Sequence, residues 1–507
     1  MKLTCMNYQI IAVLLITSLL SCTAVPIPPS EEIEDDGTEM PTDKPSDDHS
    51  EDPSESPSDD PIEEPSENPS DDSAEGPADG RPEEMTISLQ FYGEGVNWPF
   101  VEEPLSVYKQ RAGGEKYTYR YSYSSDGVEK TMELPFIISR GRFRRSEAEQ
   151  ISGKPGGSYQ YTTFSNIEHN VLWFSDPTSW IRLPYIEGMR LKSVSVVHGN
   201  MYERQFRLQS DVSPEPAWYI DSEPKTAESY SDPVEMKIEN TNDGMAYVIR
   251  FISNGNIRIF NITLVYEKEL TSVASGKYRV AIMGDSISTY EDMLCDPEYL
   301  YWYPVNDGKH DPNLGVPGME EYAVDAKEKT WWGRLIYEYT ANAELDANSS
   351  FGGSRVISHP RTSAIDEDKT KMWDAGMVDR VYDFINPDVI FIHGGTNDCT
   401  IGTDPLGNFN WNTPIRELDM FSFRSAYAGM VRKILDYYEG VHIVLIIGPS
   451  LTPDYEESII AVADHYNLDY VNFVGEEIDM CNGVHPSAVG HKQMADKIFS
   501  ECGKYFQ

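Results

Sequence analysis

The chain has 507 residues, with 84 Asp and Glu against 41 Lys and Arg, and a formal net charge of −43. A nucleic-acid partner is not expected, because phosphate binding requires basic patches. One dense basic cluster exists, and we interpret it as a solvated loop: Arg140, Arg142, Arg144 and Arg145.

The first residues have the features of a secretion signal. After Met1-Lys2, the mostly apolar stretch from Ile10 to Leu20 is too short to span a bilayer comfortably. It ends in Leu19-Leu20-Ser21-Cys22, which resembles the bacterial lipobox, so residues 1–21 would be removed and Cys22 lipidated. The alternative is an ordinary cleaved signal with an incidental Cys. The lipobox predicts a lipid-anchored protein of the bacterial cell envelope, with the outer membrane as the expected site, facing the periplasm or the surface.

Residues 22–84 are predicted to be a disordered acidic linker. Between Glu31 and Glu84 there are 23 acidic residues and two basic ones, and Pro-Ser-Asp-Asp recurs at Pro45, Pro57 and Pro69. Such a segment cannot bury enough apolar area to offset its ordering entropy. As an extended tether, residues 31–84 would reach at most roughly 170 Å at about 3.1 Å per residue. A solubilising spacer and a functional stalk both fit this composition.

Residues 85–270 are predicted to form an antiparallel β-sandwich. Short runs alternate apolar and polar residues between turn-forming clusters, which is typical of a sandwich. The arrangement loosely resembles the jelly-roll modules found beside carbohydrate-active enzymes. Four Trp residues are candidates either for stacking on sugar rings or for filling the core: Trp98, Trp173, Trp180 and Trp218. The predicted strands are Ile87 to Phe91, Tyr117 to Tyr123, Val171 to Phe174, Leu191 to Val197, Gln205 to Leu208, Met236 to Ile238, Ala246 to Ile252 and Ile257 to Tyr266.

Residues 277–507 alternate strand-like and helix-like runs, which predicts an α/β domain with a parallel sheet covered on both faces. The predicted strands are Tyr278 to Met283, Ala343 to Ala347, Val389 to His393, His442 to Ile447 and Tyr470 to Phe473. The predicted helices are Thr330 to Tyr339, Lys371 to Phe384, Phe423 to Tyr438, Glu456 to Tyr466 and Ala488 to Cys502.

Four short motifs follow strand-like runs of this domain. They are Gly284-Asp285-Ser286, the glycine block from Asn348 to Ser354, Gly395-Thr396-Asn397-Asp398 and Gly483-Val484-His485-Pro486. Loops after parallel strands gather at one edge of the sheet. A Ser hydroxyl needs an imidazole to take its proton and fixed donors for the oxyanion, and these motifs supply both.

These motifs, in this order, resemble the SGNH, or GDSL, family of hydrolases and esterases. The resemblance implies a flavodoxin-like fold, a Ser286 nucleophile and a His485 base. It also implies oxyanion donors from the Ser286 N–H, the Gly353 N–H and the Asn397 amide. No cofactor is expected. A metal site is not expected either, because no CxxC pair or His-rich cluster accompanies the cysteines. Two further carboxylates, Asp285 and Asp398, are expected to fix loops by hydrogen bonds.

One position departs from the family. Three residues before His485, where the family usually has Asp, this chain has Asn482. An amide can orient an imidazole but stabilises its cation much less than a carboxylate does. Three readings stay open: Asn482 orients His485, Asp479 reaches it from one turn earlier, or a backbone carbonyl does.

Two other features lie near these motifs. The irregular stretch from Glu291 to Lys327 follows the nucleophile and is rich in aromatic residues, so it either walls the site or packs as a surface loop. Four Cys remain after the signal: Cys295, Cys399, Cys481 and Cys502. A bridge between Cys399 and Cys481 is conceivable, and free thiols are the alternative.

The sequence as a whole predicts a serine esterase of the envelope that removes an acetyl or another small acyl group from a carbohydrate. The alternatives are a lipid or thioester hydrolase, a peptidoglycan O-acetylesterase, and a surface glycan-binding protein whose hydrolase fold has lost activity. The sequence does not indicate an oligomeric state.

Overall fold

A computed structural model describes residues 81–506. It leaves out residues 94–95, 103–113, 140–157, 165–166, 175–178, 211–217, 230–231, 243, 245, 254, 270–275, 295–300, 307–309, 359–375 and 402–404. For residues 158–171 only the backbone is described. The predicted signal, the lipidation site Cys22, nearly all of the acidic linker, the arginine cluster and Cys295 therefore lie outside the described residues.

The first part of the described chain is a sandwich of two antiparallel sheets. One sheet has the order β10-β7-β12-β5-β4, with β1 also paired to β12, and the other has the order β2-β3-β6-β11-β8-β9. Apolar side chains alternate inward, as in β1, whose second, fourth and sixth residues are buried. The strands are β1 Glu84–Gln90, β2 Glu115–Ser125, β3 Val128–Ile138, β4 Ser158–Phe164, β5 Ile167–Phe174, β6 Trp180–Arg182, β7 Met189–His198, β8 Phe206–Gln209, β9 Tyr219–Asp221, β10 Val234–Glu239, β11 Val248–Phe251 and β12 Ile257–Lys268.

This confirms the predicted sandwich, although β3, β4, β6 and β9 were not predicted. The four candidate Trp residues pack against other side chains. Trp98 lies 5.1 Å from Phe100 between ring centroids, and Trp218 lies 6.2 Å from Tyr247. Trp173 is 7% exposed, and Trp180 packs against the core of the α/β domain. These contacts favour the core interpretation over sugar stacking.

The second part is a five-stranded parallel sheet in the order β14-β13-β15-β16-β17. Helices and irregular segments cover both faces, which confirms the predicted α/β architecture. The strands are β13 Tyr278–Gly284, β14 Ala343–Ser350, β15 Val389–His393, β16 His442–Ile447 and β17 Asp469–Asn472. The helices are α1 Trp331–Gly333, which continues as a π-helical turn over Arg334–Glu338, α2 Thr396–Ile401, α3 Phe423–Tyr437, α4 Pro453–Tyr466 and α5 Ala488–Cys502.

The predicted helix from Lys371 to Phe384 is wrong in its described part. Residues 376–384 form an irregular segment with one short turn, Met377–Asp379. The N–H groups of Met377 and Val378 donate to the carbonyls of Arg355 and Val356 at 2.8 and 3.1 Å. The apolar side chains of the segment are buried in the core, so its pattern reflects burial. Its backbone forms only short turns of its own and otherwise pairs with the neighbouring segment.

The sandwich contacts the α/β domain at the amino ends of the parallel strands. The buried guanidinium of Arg182 donates to the carbonyls of Tyr382 and Phe384, which shortly precede β15. Lys116 pairs at 3.0 Å with Asp436, near the end of α3 and before β16. The motif loops follow the carboxyl ends of the strands, so the sandwich is attached at the opposite edge of the sheet.

Candidate active site

Ser286 lies in a tight turn directly after the buried strand β13. Asp285 caps this turn, because its Oδ1 accepts a hydrogen bond from the Ile287 N–H at 3.0 Å. Gly284 permits the turn, since a Cβ there would come within 2.7 Å of Ser288. Ser286 is 9% exposed, so the turn presents a nearly buried hydroxyl at the carboxyl edge of the sheet.

The far side of the same turn is fixed through Ser288. Its hydroxyl accepts from the indole N–H of Trp331 at 3.2 Å, and its carbonyl accepts from the indole N–H of Trp332 at 2.9 Å. The Asn348 amide donates to the same carbonyl at 2.9 Å. The buried indoles at the start of α1 therefore hold the turn that carries Ser286 in place, as the pre-organisation of a hydroxyl for attack would require.

Hydrogen-bond contacts join Ser286, His485 and Asn482 in a row. His485 Nε2 is 2.8 Å from Ser286 Oγ, and His485 Nδ1 is 3.1 Å from Asn482 Oδ1. Ser286 and His485 are 199 residues apart in the sequence, and the parallel sheet brings their loops to one edge. The row has the geometry of a nucleophile, a base and an orienting group.

The orientation of the Asn482 amide decides the tautomer of His485. Asn482 Oδ1 also accepts the backbone N–H of His485 at 2.9 Å and that of Val484 at 3.2 Å. Because a backbone N–H only donates, the atom that faces His485 Nδ1 must be the amide oxygen and not the NH₂ group. His485 therefore carries its proton on Nδ1 and offers Nε2 as an acceptor to Ser286.

Asp479 serves a different group. Its carboxylate accepts a hydrogen bond from the hydroxyl of Ser487, which caps α5, and its N–H donates to Gln493 Oε1 at 2.8 Å. Of the three readings for the orienting group, the geometry favours Asn482. Asp479 fixes the start of the helix that follows the base.

Burial controls the basicity of His485. Removal from water lowers its pKa from 6.5 to about 4. The positive charge that His310 can carry also lowers it, whereas the carboxylate of Asp285 raises it. His485 is therefore neutral at pH 6–8, as a base must be, yet it is a weaker base than an imidazole whose pKa lies near the working pH.

An aromatic ring covers one face of this imidazole. Trp302 stacks on His485 with ring centroids 3.4 Å apart and planes inclined by 6°. His310 meets Trp302 edge-on at 4.9 Å. The described part of the aromatic stretch after the nucleophile thus contacts the candidate base directly. The sequence left open whether this stretch walls the site or packs as a surface loop, and it did not predict this contact.

The three candidate oxyanion donors follow neighbouring strands, β14, β13 and β15. Gly353 has φ +75°, a conformation that favours glycine. Asn397, at the start of α2, donates through Nδ2 to the carbonyl of Ser354 at 2.8 Å, so its amide lies beside the Gly353 loop. An amide nitrogen carries two hydrogens, and the second remains for an oxyanion.

Asp398 fixes the loop that carries Gly353. Its carboxylate accepts the N–H of Val356 at 2.9 Å and that of Ile357 at 3.4 Å. Burial raises its pKa from 3.8 to about 7, against the opposite effect of these hydrogen bonds. Its side chain is occupied by the backbone, as expected for a loop-fixing residue.

Arg380 is a buried supporting residue that sequence reasoning missed. Its guanidinium donates to Ser349 Oγ at 2.8 Å, to Ser354 Oγ at 2.7 Å and to the Gly284 carbonyl at 3.3 Å. It thereby joins the end of β13 to the glycine block. No motif marks Arg380, and the segment that contains it was wrongly predicted as a helix.

The described residues also bear on disulfides, metal binding and membrane-spanning helices. The described cysteines, Cys399, Cys481 and Cys502, are free, so the conceivable bridge between Cys399 and Cys481 is not formed. Within residues 81–506, outside the gaps given above, no group of His, Cys, Asp and Glu could hold a metal ion. In the same part of the chain no helix is long and apolar enough to cross a membrane.

Comparison with known proteins gives one family match and several similar structures. The model of the family described as GDSL-like lipase/acylhydrolase matches residues 278–502. A candidate GDSL-like lipase from Bacteroides ovatus is 30% identical over 45% of this chain and 99% of that chain, with a TM-score of 0.37. Another from Bacteroides uniformis is 27% identical over 45% of this chain and 97% of that chain, also with a TM-score of 0.37. A search of curated proteins returns no match.

A carbohydrate esterase is also among the similar structures. The family two carbohydrate esterase from Cellvibrio japonicus is 14% identical over 66% of this chain and 91% of that chain, with a TM-score of 0.30. This chain belongs to the GDSL-like lipase/acylhydrolase family and is an ester hydrolase of the SGNH type.

Proposed function

We propose that this protein is a serine esterase of the bacterial envelope that removes acetyl or another small acyl group from a carbohydrate. The observation that carries the reaction is the row of contacts from Ser286 Oγ through His485 to Asn482, at 2.8 and 3.1 Å. The substrate and the location are inferred from the features given below.

The proposed reaction has two halves. Ser286 Oγ attacks the ester carbonyl carbon while His485 Nε2 takes the hydroxyl proton, and the oxyanion lies among the N–H of Ser286, the N–H of Gly353 and the amide of Asn397. Collapse breaks the bond to the sugar oxygen, which leaves with the proton from His485. Water then repeats the sequence on the acyl-serine and releases the carboxylic acid.

The residues around the base support a polar, ring-shaped substrate. Trp302 covers His485, and His310 meets Trp302 edge-on. The preceding residue, Tyr301, donates its hydroxyl to Glu291 at 3.2 Å. Aromatic rings with polar tips suit a sugar, which offers both C–H faces and hydroxyls. A lipid hydrolase would instead need an aliphatic pocket for the acyl chain. A small acyl group fits a nearly buried nucleophile.

The envelope location is supported by the sequence alone. The apolar stretch that ends in Leu19-Leu20-Ser21-Cys22 favours lipidation of Cys22, and the acidic linker would separate the enzyme from the membrane. Mass spectrometry of the N-terminal peptide from the native host tests this part. An acylated peptide that begins at Cys22 is expected, and an unmodified peptide that begins elsewhere would contradict the anchor.

The activity is tested on the fragment from Met85 onward with 4-nitrophenyl acetate and acetylated xylan, with Ser286→Ala as the matched variant. We expect the wild type to release acetate from both, and the variant to lose at least about 1,000-fold in kcat. Activity on 4-nitrophenyl acetate alone would support the esterase activity but contradict the carbohydrate substrate. Rates on a series of 4-nitrophenyl esters from acetate to dodecanoate distinguish this esterase from a lipid hydrolase, which would prefer long acyl chains.

The second candidate is a glycan-binding protein with an impaired site, and Asn482 is the observation that favours it. Such a protein would bind glycan equally well with or without the Ser286 hydroxyl and would show no ester hydrolysis. The forced orientation of the Asn482 amide argues against this candidate, because it gives His485 the tautomer that catalysis needs.

A further inference from the structure

The closest aromatic contact in the site joins Trp302 to the candidate base. The two rings are almost parallel, 6° apart, with centroids separated by 3.4 Å. We propose that Trp302 is a positioning residue: its indole face holds the His485 imidazole in line with Ser286 and stabilises the imidazolium that forms during attack. The inference rests on ester hydrolysis at Ser286 and not on the carbohydrate.

The His485 imidazolium needs this stabilisation because the orienting residue, Asn482, is neutral. When Ser286 Oγ attacks, its proton moves to His485 Nε2 and leaves a positive charge on a buried imidazole. A carboxylate in the position of Asn482 would neutralise that charge, but an amide oxygen offers only a dipole. The face of an indole is negative and attracts a cation within about 6 Å of its centroid, most strongly where water is excluded.

The backbone of Trp302 is tied to the nucleophile turn. The Thr289 hydroxyl donates to the Ser286 carbonyl at 2.9 Å and accepts the Trp302 N–H at 2.6 Å. One hydroxyl therefore couples the residue that attacks to the residue that covers the base. This coupling fixes the position of Trp302 relative to the Ser286 turn.

The next residue along the chain ties the same segment to the loop of the base. The buried Tyr303 hydroxyl donates to the Pro486 carbonyl at 2.7 Å, one residue after His485. Among the described residues the indole N–H of Trp302 has no hydrogen-bond partner. The orientation of the ring is thus set by stacking and by these backbone ties, which is the preorganisation that a positioning role requires.

Other charged groups facing His485 do not replace this role. Asp285 favours the charged imidazole but caps the nucleophile turn, and His310 disfavours it when protonated. Trp302 contacts both imidazoles, His485 face to face at 3.4 Å and His310 edge-on at 4.9 Å between ring centroids. Removing the indole would expose the covered face of the base to water.

The test is a double-mutant cycle that combines Trp302→Leu with Asn482→Asp, measured as kcat and KM for 4-nitrophenyl acetate. In the wild-type background, with Asn482 present, we expect Trp302→Leu to lower kcat by about 10- to 30-fold with KM changed less than about twofold. In the Asn482→Asp background the loss should shrink to less than about threefold, because a carboxylate then stabilises the imidazolium. Trp302→Phe keeps an aromatic face and should restore most of the rate.

The matched control is Trp411→Leu. Trp411 also stacks on a histidine, His465, at 4.0 Å and 14°, but near the end of α4 and away from the motif loops. It should leave kcat unchanged, and thermal melts identify variants that fail to fold. Equal losses in both backgrounds, or a raised KM with unchanged kcat, would overturn the proposal while Ser286-dependent hydrolysis persists. Absence of that hydrolysis in the wild type would overturn both this proposal and the proposed function.

Discussion

Replacing Asn482 by Asp tests how much the site loses through its neutral orienting group. The carboxylate would keep every acceptor role of the amide oxygen, since the N–H groups of Val484 and His485 already lie at 3.2 and 2.9 Å from it. The tautomer of His485 would also stay the same. In serine proteases with a Ser-His-Asp triad, replacing the Asp by Asn costs about 10⁴ in turnover, mainly through the wrong tautomer of the His. That cost is absent here, because Asn482 already holds His485 in the required tautomer. Only the charge would change.

The size of the effect follows from the hydrogen bond at 3.1 Å between His485 Nδ1 and Asn482 Oδ1. A bond to a charged group contributes about 1.5–3 kcal/mol, and a neutral one about 1 kcal/mol. A difference of about 1.4 kcal/mol in favour of the imidazolium corresponds to about a tenfold rise in kcat/KM. The same charge raises the pKa of His485 from about 4, so the acid limb of the rate profile should move to higher pH.

The assay is kcat/KM for 4-nitrophenyl acetate from pH 4 to 8, with Asp479→Asn beside Asn482→Asp. The rate gain should be full at pH 7–8 and should shrink near pH 4–5, where the imidazole of the variant is protonated. Asp479→Asn should leave the acid limb unshifted, because Asp479 holds Ser487 and does not contact His485. A folded Asn482→Asp variant with unchanged rate and unchanged acid limb would refute the assignment of Asn482 as the orienting group.

Three further changes probe other parts of the molecule. Asn397→Ala should lower kcat by about 10²–10³ with little effect on KM if its amide binds the oxyanion, and an unchanged kcat would exclude that role. Asp398 has a folded pKa of about 7, above its ordinary 3.8, so its stabilising contribution is full below pH 4 and is lost as the pH rises through 7. Asp398→Asn should therefore flatten the fall in melting temperature between pH 4.5 and 8, and an equally steep fall would contradict this. Arg182→Met should lower the free energy of unfolding in urea by about 2–4 kcal/mol, because two buried carbonyls lose a charged donor, and a change below about 1 kcal/mol would contradict the contact.

The parallel sheet was the most predictable part of the fold. The bounds of β15, β16 and α5 agree with those predicted, because continuous apolar runs mark buried parallel strands and Ser487 marks a helix start. The strand β3 was missed, since much of its outer half is exposed and charged and it contains Pro135, so it lacks the usual alternation. These misses affect single elements but not the architecture.

The candidate site was predictable as a set of residue types but not as a geometry. Ser286 and His485 follow from motifs whose order places them at one edge of a sheet. The tautomer of His485 could not be predicted from the sequence, because it depends on two backbone N–H groups that hold the Asn482 oxygen. The stacking of Trp302 on His485 could not be predicted either. Sixteen positions separate Trp302 from Ser286, and only the fold of that segment decides which ring the indole covers.

The attachment of the sandwich limits what it can contribute to the reaction. It contacts the α/β domain through Arg182 at the amino edge of the sheet, whereas Ser286 follows the carboxyl edge. The seven residues of β13 span about 23 Å at about 3.3 Å per residue, so residues at this interface lie well away from a bound ester. A glycan held by the sandwich near this interface would have to be a polymer long enough to reach the other edge. Discrimination of the ester itself therefore falls to the loops at the carboxyl edge and to the aromatic segment that carries Trp302.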